Sequence, residues 1–212
     1  MNIHIPRDQE RNIVRALRSN PVTAIIGASK CGKSYIAKHV CDTYENFLYL
    51  DLQDVDDLEK ILGDRQAKRF LSDSMDKLII IDEIQLRPEL FPTLRVLADK
   101  IAHSRGERFK ITHPARFLII GSISPMLWRQ EKESLTGRIA YERLTTLLIT
   151  EIPDCDMKKY FIRGGFPQSY LANSDDTSIR WKKDYITNLL LNDLKNGGIL
   201  ILIYLMNFGT NL

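Results

Sequence analysis

One stretch of the sequence decides the fold: Gly27-Ala28-Ser29-Lys30-Cys31-Gly32-Lys33-Ser34. It fits the pattern G-x-x-x-x-G-K-S, follows an apolar run and precedes a stretch that is compatible with a helix. The two glycines let the backbone turn its N–H groups inward, and the following helix adds the positive end of its dipole. The sequence therefore predicts a P-loop, a loop that cradles phosphate groups.

Individual residues of the P-loop have predicted roles. Lys33 is expected to reach the β- and γ-phosphate oxygens of ATP, and the Ser34 hydroxyl to ligate Mg²⁺. The next residue, Tyr35, is included in the predicted nucleotide site. Cys31 lies near a helix N-terminus, where the pKa of a thiol falls, so it is either a redox-sensitive group or a small loop filler.

A second apolar run, residues 78–81, ends in two acids, Asp82 and Glu83. It follows Lys33 by about 50 residues, and we expect this strand to lie beside the P-loop strand. Asp82 is expected to hold magnesium, directly or through water, and Glu83 to polarise the water that attacks the γ-phosphate. A helix cap or a surface charge is the alternative interpretation of these acids.

Short apolar runs alternate with helical spacing along most of the chain. Strands are expected at residues 23–26, 47–50, 78–81 and 117–120, with a fifth candidate at residues 144–149. Alternation of this kind favours a parallel sheet with helices on its faces. The predicted class is therefore α/β, a three-layer sandwich around a central, mainly parallel sheet.

The helices are predicted from caps and apolar stripes. Asp8 is expected to cap a helix that runs to Leu17, and a second helix should begin at Lys33. Pro88 stands at an early position of a third helix, whose apolar stripe consists of Leu90, Leu94, Leu97 and Ile101. Residues 104–114, which are basic and contain Gly and Pro, predict a surface loop with ligand contact as an option.

Three further residues are candidates for the site. Ser122 follows the strand at 117–120 and is either a sensor of the γ-phosphate or lytic water, or the N-cap of a helix through Trp128. Arg138 is a candidate for neutralising charge in the transition state, from the same chain or from a neighbour, and Arg143 is a weaker one. A solvated surface position is the alternative for both arginines.

Composition sets the broad class of the protein. The 212 residues leave room for one α/β domain and a small appendage, and a net charge of +3 permits nucleic-acid binding without indicating it. The three cysteines have no metal-ligand or disulfide pattern, which fits a reducing cytoplasm. The N-terminus lacks a signal peptide, and the apolar run 198–206 is too short to span a bilayer, so it is interpreted as a buried segment.

Together these residues make the sequence resemble the prokaryotic AAA-superfamily ATPases in which a P-loop domain precedes a C-terminal domain of unknown function. The resemblance rests on five places: residues 27–34, residues 81–85 with Pro88, Gly121-Ser122, Ser134-Leu135-Thr136-Gly137-Arg138, and Gly164-Gly165-Phe166-Pro167. It implies an AAA-like ATPase core with Lys33 and Ser34 as Walker A residues and Asp82 and Glu83 as Walker B residues. Arg138 falls in its Gly-Arg motif, whereas Gln85 matches without an assigned role.

The resemblance also marks two departures and a division of the chain. Ile123 stands where a second Ser is usual, and similar chains continue for over a hundred residues beyond a Trp and Tyr like Trp181 and Tyr185. We therefore expect an AAA-like P-loop ATPase domain at residues 1–152 and a partial helical C-terminal region at residues 153–212. A truncated or frameshifted gene product and a compact variant with a short final helix are both open.

Three functions are compatible with this sequence. The leading hypothesis is an ATPase that binds Mg-ATP and hydrolyses it, with Glu83, Lys33 and Arg138 as catalytic residues. The alternative is a nucleotide-binding switch or interaction module with negligible turnover, and a third is phosphoryl transfer to a small acceptor. A homo-oligomer is expected by resemblance only, and the protein or nucleic-acid target is not indicated.

Overall fold

The computed structural model describes residues 5–42, 44–104, 116–122 and 135–195. The chain divides into two compact units, and the division falls between Glu151 and Ile152. The first unit contains a β-sheet with helices, and the described part of the second is helical. Both the loop predicted at residues 104–114, beyond Ser104, and the apolar run at residues 198–206 lie outside the described residues.

Parallel strands form the sheet of the first unit. In its described part they are β1 (Val22–Gly27), β2 (Phe47–Asp51), β3 (Leu78–Asp82), β4 (Arg116–Ser122) and β5 (Ile139–Leu144). Their spatial order is β2-β3-β4-β1-β5, and every neighbouring pair is parallel. All their carboxyl ends therefore lie at one edge of the sheet, where open α/β folds bind ligands.

Two expectations about the sheet are wrong. The strand that ends in Asp82 does not lie beside the P-loop strand, because β4 lies between them and pairs with both. The fifth strand spans Ile139–Leu144 rather than residues 144–149. Because β5 pairs only with β1 in the described sheet, it does not need the continuous apolar content that led to the later position.

Helices cover both faces of the sheet. They are α1 (Gln9–Ser19), α2 (Lys33–Cys41), α3 (Val55–Lys60), α4 (Asp64–Asp73) and α5 (Leu90–Ser104), with 3₁₀ turns at Ile84–Leu86 and Ile149–Glu151. Side chains of α1 and α2 share one buried cluster with Ile25 and Ile80, and those of α4 and α5 share the other with Ile79 and Ile119. The predicted three-layer α/β sandwich is confirmed.

The helix predictions differ in outcome. A helix does begin at Lys33, and the stripe from Leu90 to Ile101 is buried, as expected. Pro88, however, precedes the helix, which begins at Leu90. Asp8 stands at the N-cap position of α1, but its side chain makes no capping hydrogen bond, since its backbone is already helical and its backbone N–H donates to Glu151 Oε1 at 3.0 Å.

The second unit contains three helices in its described part: α6 (Met157–Arg163), α7 (Pro167–Tyr170) and α8 (Asp175–Lys195). The predicted turn follows α6, where Gly164 adopts a φ of +72°, and α8 includes the predicted helix from residue 178 to 194. Trp181 and Tyr185 stack with ring centroids 5.2 Å apart, and Phe166 packs against both rings. Among the described helices, none combines the length and apolar content that a bilayer crossing requires.

A buried ion pair joins distant parts of the first unit. Arg7 Nε donates to Glu151 Oε2 at 2.9 Å, and both side chains are almost completely buried. The guanidinium also donates to the carbonyls of Cys31, Thr145 and Thr146. The N-terminal segment, the P-loop, the chain after β5 and the last residue of the unit are therefore held by one side chain.

Removing either charge of this pair should destabilise the fold, and the loss of stability should be larger for the arginine than for the glutamate. Arg7→Met leaves a buried carboxylate without its cation and three carbonyls without a donor, so we expect a loss of about 3–5 kcal/mol in unfolding free energy. Glu151→Gln should cost less, because the guanidinium keeps its carbonyl acceptors. Urea unfolding measures both, with Arg69→Met as the control, since Arg69 forms an exposed pair with Asp73. Equal losses in Arg7→Met and Arg69→Met would contradict this account.

Candidate nucleotide-binding site

The P-loop connects the end of β1 to the first turn of α2. Its tight path depends on positive backbone angles at Lys30, with φ of +62°, and at Gly32, with φ of +106°. Gly27 is required for a different reason, because a Cβ added there would lie 2.3 Å from the carbonyl oxygen of Leu144. The loop is thus pressed against the end of β5. Ala28, Ser29 and Lys30 lie exposed at its tip.

The Lys33 ammonium is buried inside the loop. Its Nζ donates to the carbonyls of Gly27 at 3.2 Å and Ala28 at 2.9 Å, and the residue is only 5% exposed. Backbone carbonyls carry only partial charge, so the loop retains a net positive centre that suits an anion. Tyr35 follows on the same first turn of α2, with 48% of its surface exposed.

Cys31 is a loop filler rather than an activated thiol. It is fully buried, and burial raises the pKa of its thiol, with the nearby charges of Lys33 and Arg7 opposing the increase only in part. Its Sγ lies 3.6 Å from the Leu144 carbonyl oxygen. Burial and a raised thiol pKa favour the loop-filler interpretation over the redox-sensitive one, which requires a lowered pKa and access to solvent.

Asp82 ends β3 at the same edge of the sheet, and hydrogen bonds hold both of its carboxylate oxygens. Oδ1 accepts from the Glu83 backbone N–H at 2.9 Å, and Oδ2 accepts from the Tyr49 hydroxyl at 2.6 Å. Burial and the contact with Asp82 raise the pKa of Tyr49, while the nearby Ser34 side chain opposes the increase. Tyr49 thus bonds to one predicted magnesium ligand, Asp82, and lies near the other, Ser34, which its place in a strand did not suggest from sequence.

Glu83 leaves the strand in a left-handed conformation, with φ of +55°. This conformation is uncommon for residues other than Gly and turns the chain sharply into the 3₁₀ turn at Ile84–Leu86. The Glu83 carboxylate accepts a hydrogen bond from Gln85 Nε2. Gln85, which had no assigned role from sequence, therefore holds the carboxylate predicted to act on water.

Arg138 lies at the opposite edge of the sheet. Its carbonyl accepts from the Val22 N–H at 3.1 Å, at the start of β1, whereas the P-loop begins at the other end of that strand. The two ends of β1 are five residue steps apart, and at about 3.3 Å per step the distance between them is roughly 17 Å. The guanidinium donates to Asp99 of α5 and to the Thr136 carbonyl. The structure does not bring Arg138 to the P-loop of its own chain.

Two other candidates lie nearer to the P-loop. The Ser122 backbone is the strand partner of Gly27, at the carboxyl end of β4, while the side chain and the helix predicted through Trp128 lie outside what the structure describes. Arg143 lies on β5, where it is the strand partner of Ile26 of β1, and it is exposed. Of the two candidate arginines, the weaker one from sequence is thus the one on the P-loop side of the sheet.

The parallel sheet, the loop between β1 and α2, and the acids that end β3 define a P-loop nucleotide-binding protein. A family model described as an AAA domain matches residues 19–153, which is more than half of the chain. The chain therefore belongs to the AAA family of P-loop ATPases. A second model, a domain of unknown function called DUF8612, matches residues 155–199.

The chain is also similar to two other proteins in sequence and to solved structures in fold. Uncharacterized proteins of Mycobacterium bovis and Mycobacterium tuberculosis are each 34% identical over 195 residues, which is 92% of this chain and 41% of the relative. The chain thus spans less than half the length of these relatives. The Walker-type ATPase of Pyrococcus abyssi superposes with a TM-score of 0.57 at 12% identity, covering 91% of this chain and 75% of that one. A structure described as the structural basis for katanin self-assembly superposes with a TM-score of 0.50 at 18% identity. It covers 84% of this chain and 63% of that one. At these identities the similarity shows the fold.

The contact between Gly27 and Leu144 predicts a strong asymmetry between two glycines. Gly27→Ala should lower the free energy of unfolding by about 1–3 kcal/mol, because the new methyl group must displace a strand carbonyl. Gly63→Ala is the matched control, since its nearest non-neighbouring atom would be Gln66 Cβ at 4.0 Å, and it should stay within about 1 kcal/mol of wild type. Urea denaturation of both variants measures the difference. Equal stabilities would show that β5 yields freely at this point.

Proposed function

We propose that this chain binds Mg-ATP in the P-loop and hydrolyses it. The observation that carries the proposal is the meeting of Lys33, Ser34, Asp82 and Glu83 at the carboxyl edge of one parallel sheet. A buried ammonium, a hydroxyl and two carboxylates are the groups that phosphate binding, metal binding and water activation require. Membership of the AAA family supports the same proposal.

The residues present fit a magnesium ion. Mg²⁺ prefers oxygen ligands and keeps several waters, so it needs few protein donors besides the nucleotide phosphates. Ser34 and Asp82 supply a hydroxyl and a carboxylate. Asp82 Oδ2 accepts a hydrogen bond from the Tyr49 hydroxyl, and the Ser34 side chain lies near enough to lower the pKa of the same tyrosine. Both oxygens thus lie around one phenol group, which suits ligands of a single ion. The bound ion would neutralise phosphate charge.

Each remaining group has a proposed task in hydrolysis. Lys33 exchanges its two carbonyl acceptors for phosphate oxygens, while the loop N–H groups and the N-terminus of α2 hold the phosphate chain. Glu83 accepts the proton of the attacking water, and Gln85 orients its carboxylate. Ser122, Ser29 and Tyr35 are proposed to complete the nucleotide contacts.

Arg138 is proposed to act on a neighbouring copy of the chain. Its position at the amino edge of the sheet separates it from the P-loop of its own chain by most of the length of β1. A guanidinium that acts in trans would leave its ion pair with Asp99 and enter the site of the next subunit. The proposal therefore includes a homo-oligomer, with residues 1–152 as the ATPase domain and residues 153–212 as a helical C-terminal region.

A switch that binds nucleotide with negligible turnover is the second candidate. The observation in its favour is that Lys33 already bonds two carbonyls of its own loop, so the loop is stable in the absence of an anion. Under this function, ATP binding would replace one set of Lys33 contacts with another, and hydrolysis would not follow. Its target, a protein or a nucleic acid, would recognise the nucleotide-bound form.

Phosphate release from Mg-ATP separates the two functions. Wild-type chain should turn over, and both Lys33→Ala and Glu83→Gln should lower the rate at least about 100-fold, because one loses the phosphate contact and the other the base. Glu83→Gln should still bind ATP in an equilibrium titration. Wild-type turnover no faster than that of Glu83→Gln, despite ATP binding, would favour the switch.

Mixing two inactive variants tests the position of the arginine. Arg138→Ala should lose about 10³-fold or more in turnover, and adding Lys33→Ala chain should restore part of it, because that chain brings an intact Arg138 to an intact neighbouring site. Asp99→Asn is the matched control, since it breaks the same ion pair and keeps the guanidinium, and it should remain active. A mixture as inactive as its components would argue against action in trans.

A further inference from the structure

Tyr49 lies where a positioning residue for magnesium would be needed. It belongs to β2 and pairs with Ile80, two residues before the carboxyl edge at which Asp51 and Asp82 pair. Its ring contacts the buried cluster beneath α2, and the Lys38 ammonium lies 5.1 Å from the ring centroid. The ring is thus held against this buried cluster, and its hydroxyl reaches Asp82 at the carboxyl edge of the sheet.

From that position the hydroxyl fixes Asp82. Asp82 is only 3% exposed, so its orientation depends on the groups bonded to it rather than on solvent. The Glu83 backbone N–H occupies one carboxylate oxygen and Tyr49 Oη the other, at 2.9 and 2.6 Å. Each carboxylate oxygen has a second lone pair besides the one that accepts its hydrogen bond, and that lone pair can bind a cation.

We propose that Tyr49 is a positioning residue for Mg²⁺, which holds the Asp82 carboxylate, beside the Ser34 hydroxyl, in the orientation that the ion requires. The inference rests on the proposed Mg-ATP site and adds a residue that no motif in the sequence indicated. Outer-shell hydrogen bonds to metal-binding carboxylates fix their direction and set affinity for the ion. Tyr49 acts through Asp82 and does not touch the nucleotide.

The test is a titration of ATP binding with Mg²⁺ and with EDTA, monitored by calorimetry. Tyr49→Phe removes one oxygen and keeps the ring, so the affinity for ATP in EDTA should equal that of wild type. The Mg²⁺ concentration that gives half of the metal-dependent gain in affinity should rise about tenfold. Tyr44→Phe is the matched control, because it removes a phenol hydroxyl from a ring packed against the same cluster, and it should leave both measurements unchanged.

Each outcome decides a separate point. An unchanged Mg²⁺ requirement in Tyr49→Phe overturns the proposal, and so does an equal loss of ATP affinity with and without the metal, which would indicate a general structural role. A rise in Mg²⁺ requirement in Tyr49→Phe alone supports it. If the wild-type chain binds no ATP in either condition, the proposed function itself fails, and that result is distinct from a failure of the role of Tyr49.

Discussion

The close contact between Gly27 and the Leu144 carbonyl is the constraint on which the rest of the site depends. It fixes the P-loop against the last residue of β5, and only a residue without a Cβ fits there. Directly after Leu144 the chain presents the carbonyls of Thr145 and Thr146 to Arg7, which also binds the Cys31 carbonyl inside the loop. Loop, strand end and N-terminal segment are thereby joined, and Glu151 closes the set by neutralising the buried guanidinium. An exchange of loop contacts on nucleotide binding would consequently act on the same side chain that holds the end of the unit.

Sequence was sufficient for the parts of the fold that are buried on both faces. The runs that became β3 and β4 are apolar at nearly every position because helices cover them on both sides, so their place was evident without a structure. The pattern predicts β5 too late in the chain, since a strand with one neighbour in the described sheet carries polar residues such as Glu142 and Arg143. The position of β4 between β1 and β3 is not predictable either, because the distance along the chain between β1 and β3 does not indicate which strand lies between them in the sheet. The Arg7–Glu151 pair, 144 residues apart, leaves no local pattern at all.

The same distinction applies to the site. Lys33, Ser34, Asp82 and Glu83 each lie within a short motif, and parallel strands bring the motif ends to one edge, so their location could be predicted. Their roles in nucleotide binding and hydrolysis stay predictions. Arg138 also lies in a motif, but the motif does not indicate at which edge of the sheet the arginine lies. In the structure it lies at the amino edge. Tyr49 and Gln85 form hydrogen bonds with the motif acids, and neither lies in a recognisable pattern for such a contact. A tyrosine in a strand is ordinary by propensity, so only coordinates separate a positioning residue from a core aromatic.

The charges of the site explain why such a costly arrangement is retained. Lys33 and Asp82 are both buried, and among the described side chains neither forms an ion pair. Lys33 is satisfied by two carbonyls, and Asp82 by a phenol and a backbone N–H, so each charge is stabilised by dipoles alone. Buried charges without a partner lower stability, and pairing the two with each other would be cheaper. Keeping them apart leaves one positive and one negative centre, held by the loop carbonyls and by Tyr49. Under the proposed function, the stability lost in the free chain would be regained when a nucleotide and its metal bind together, so the site would respond to Mg-nucleotide rather than to either component alone.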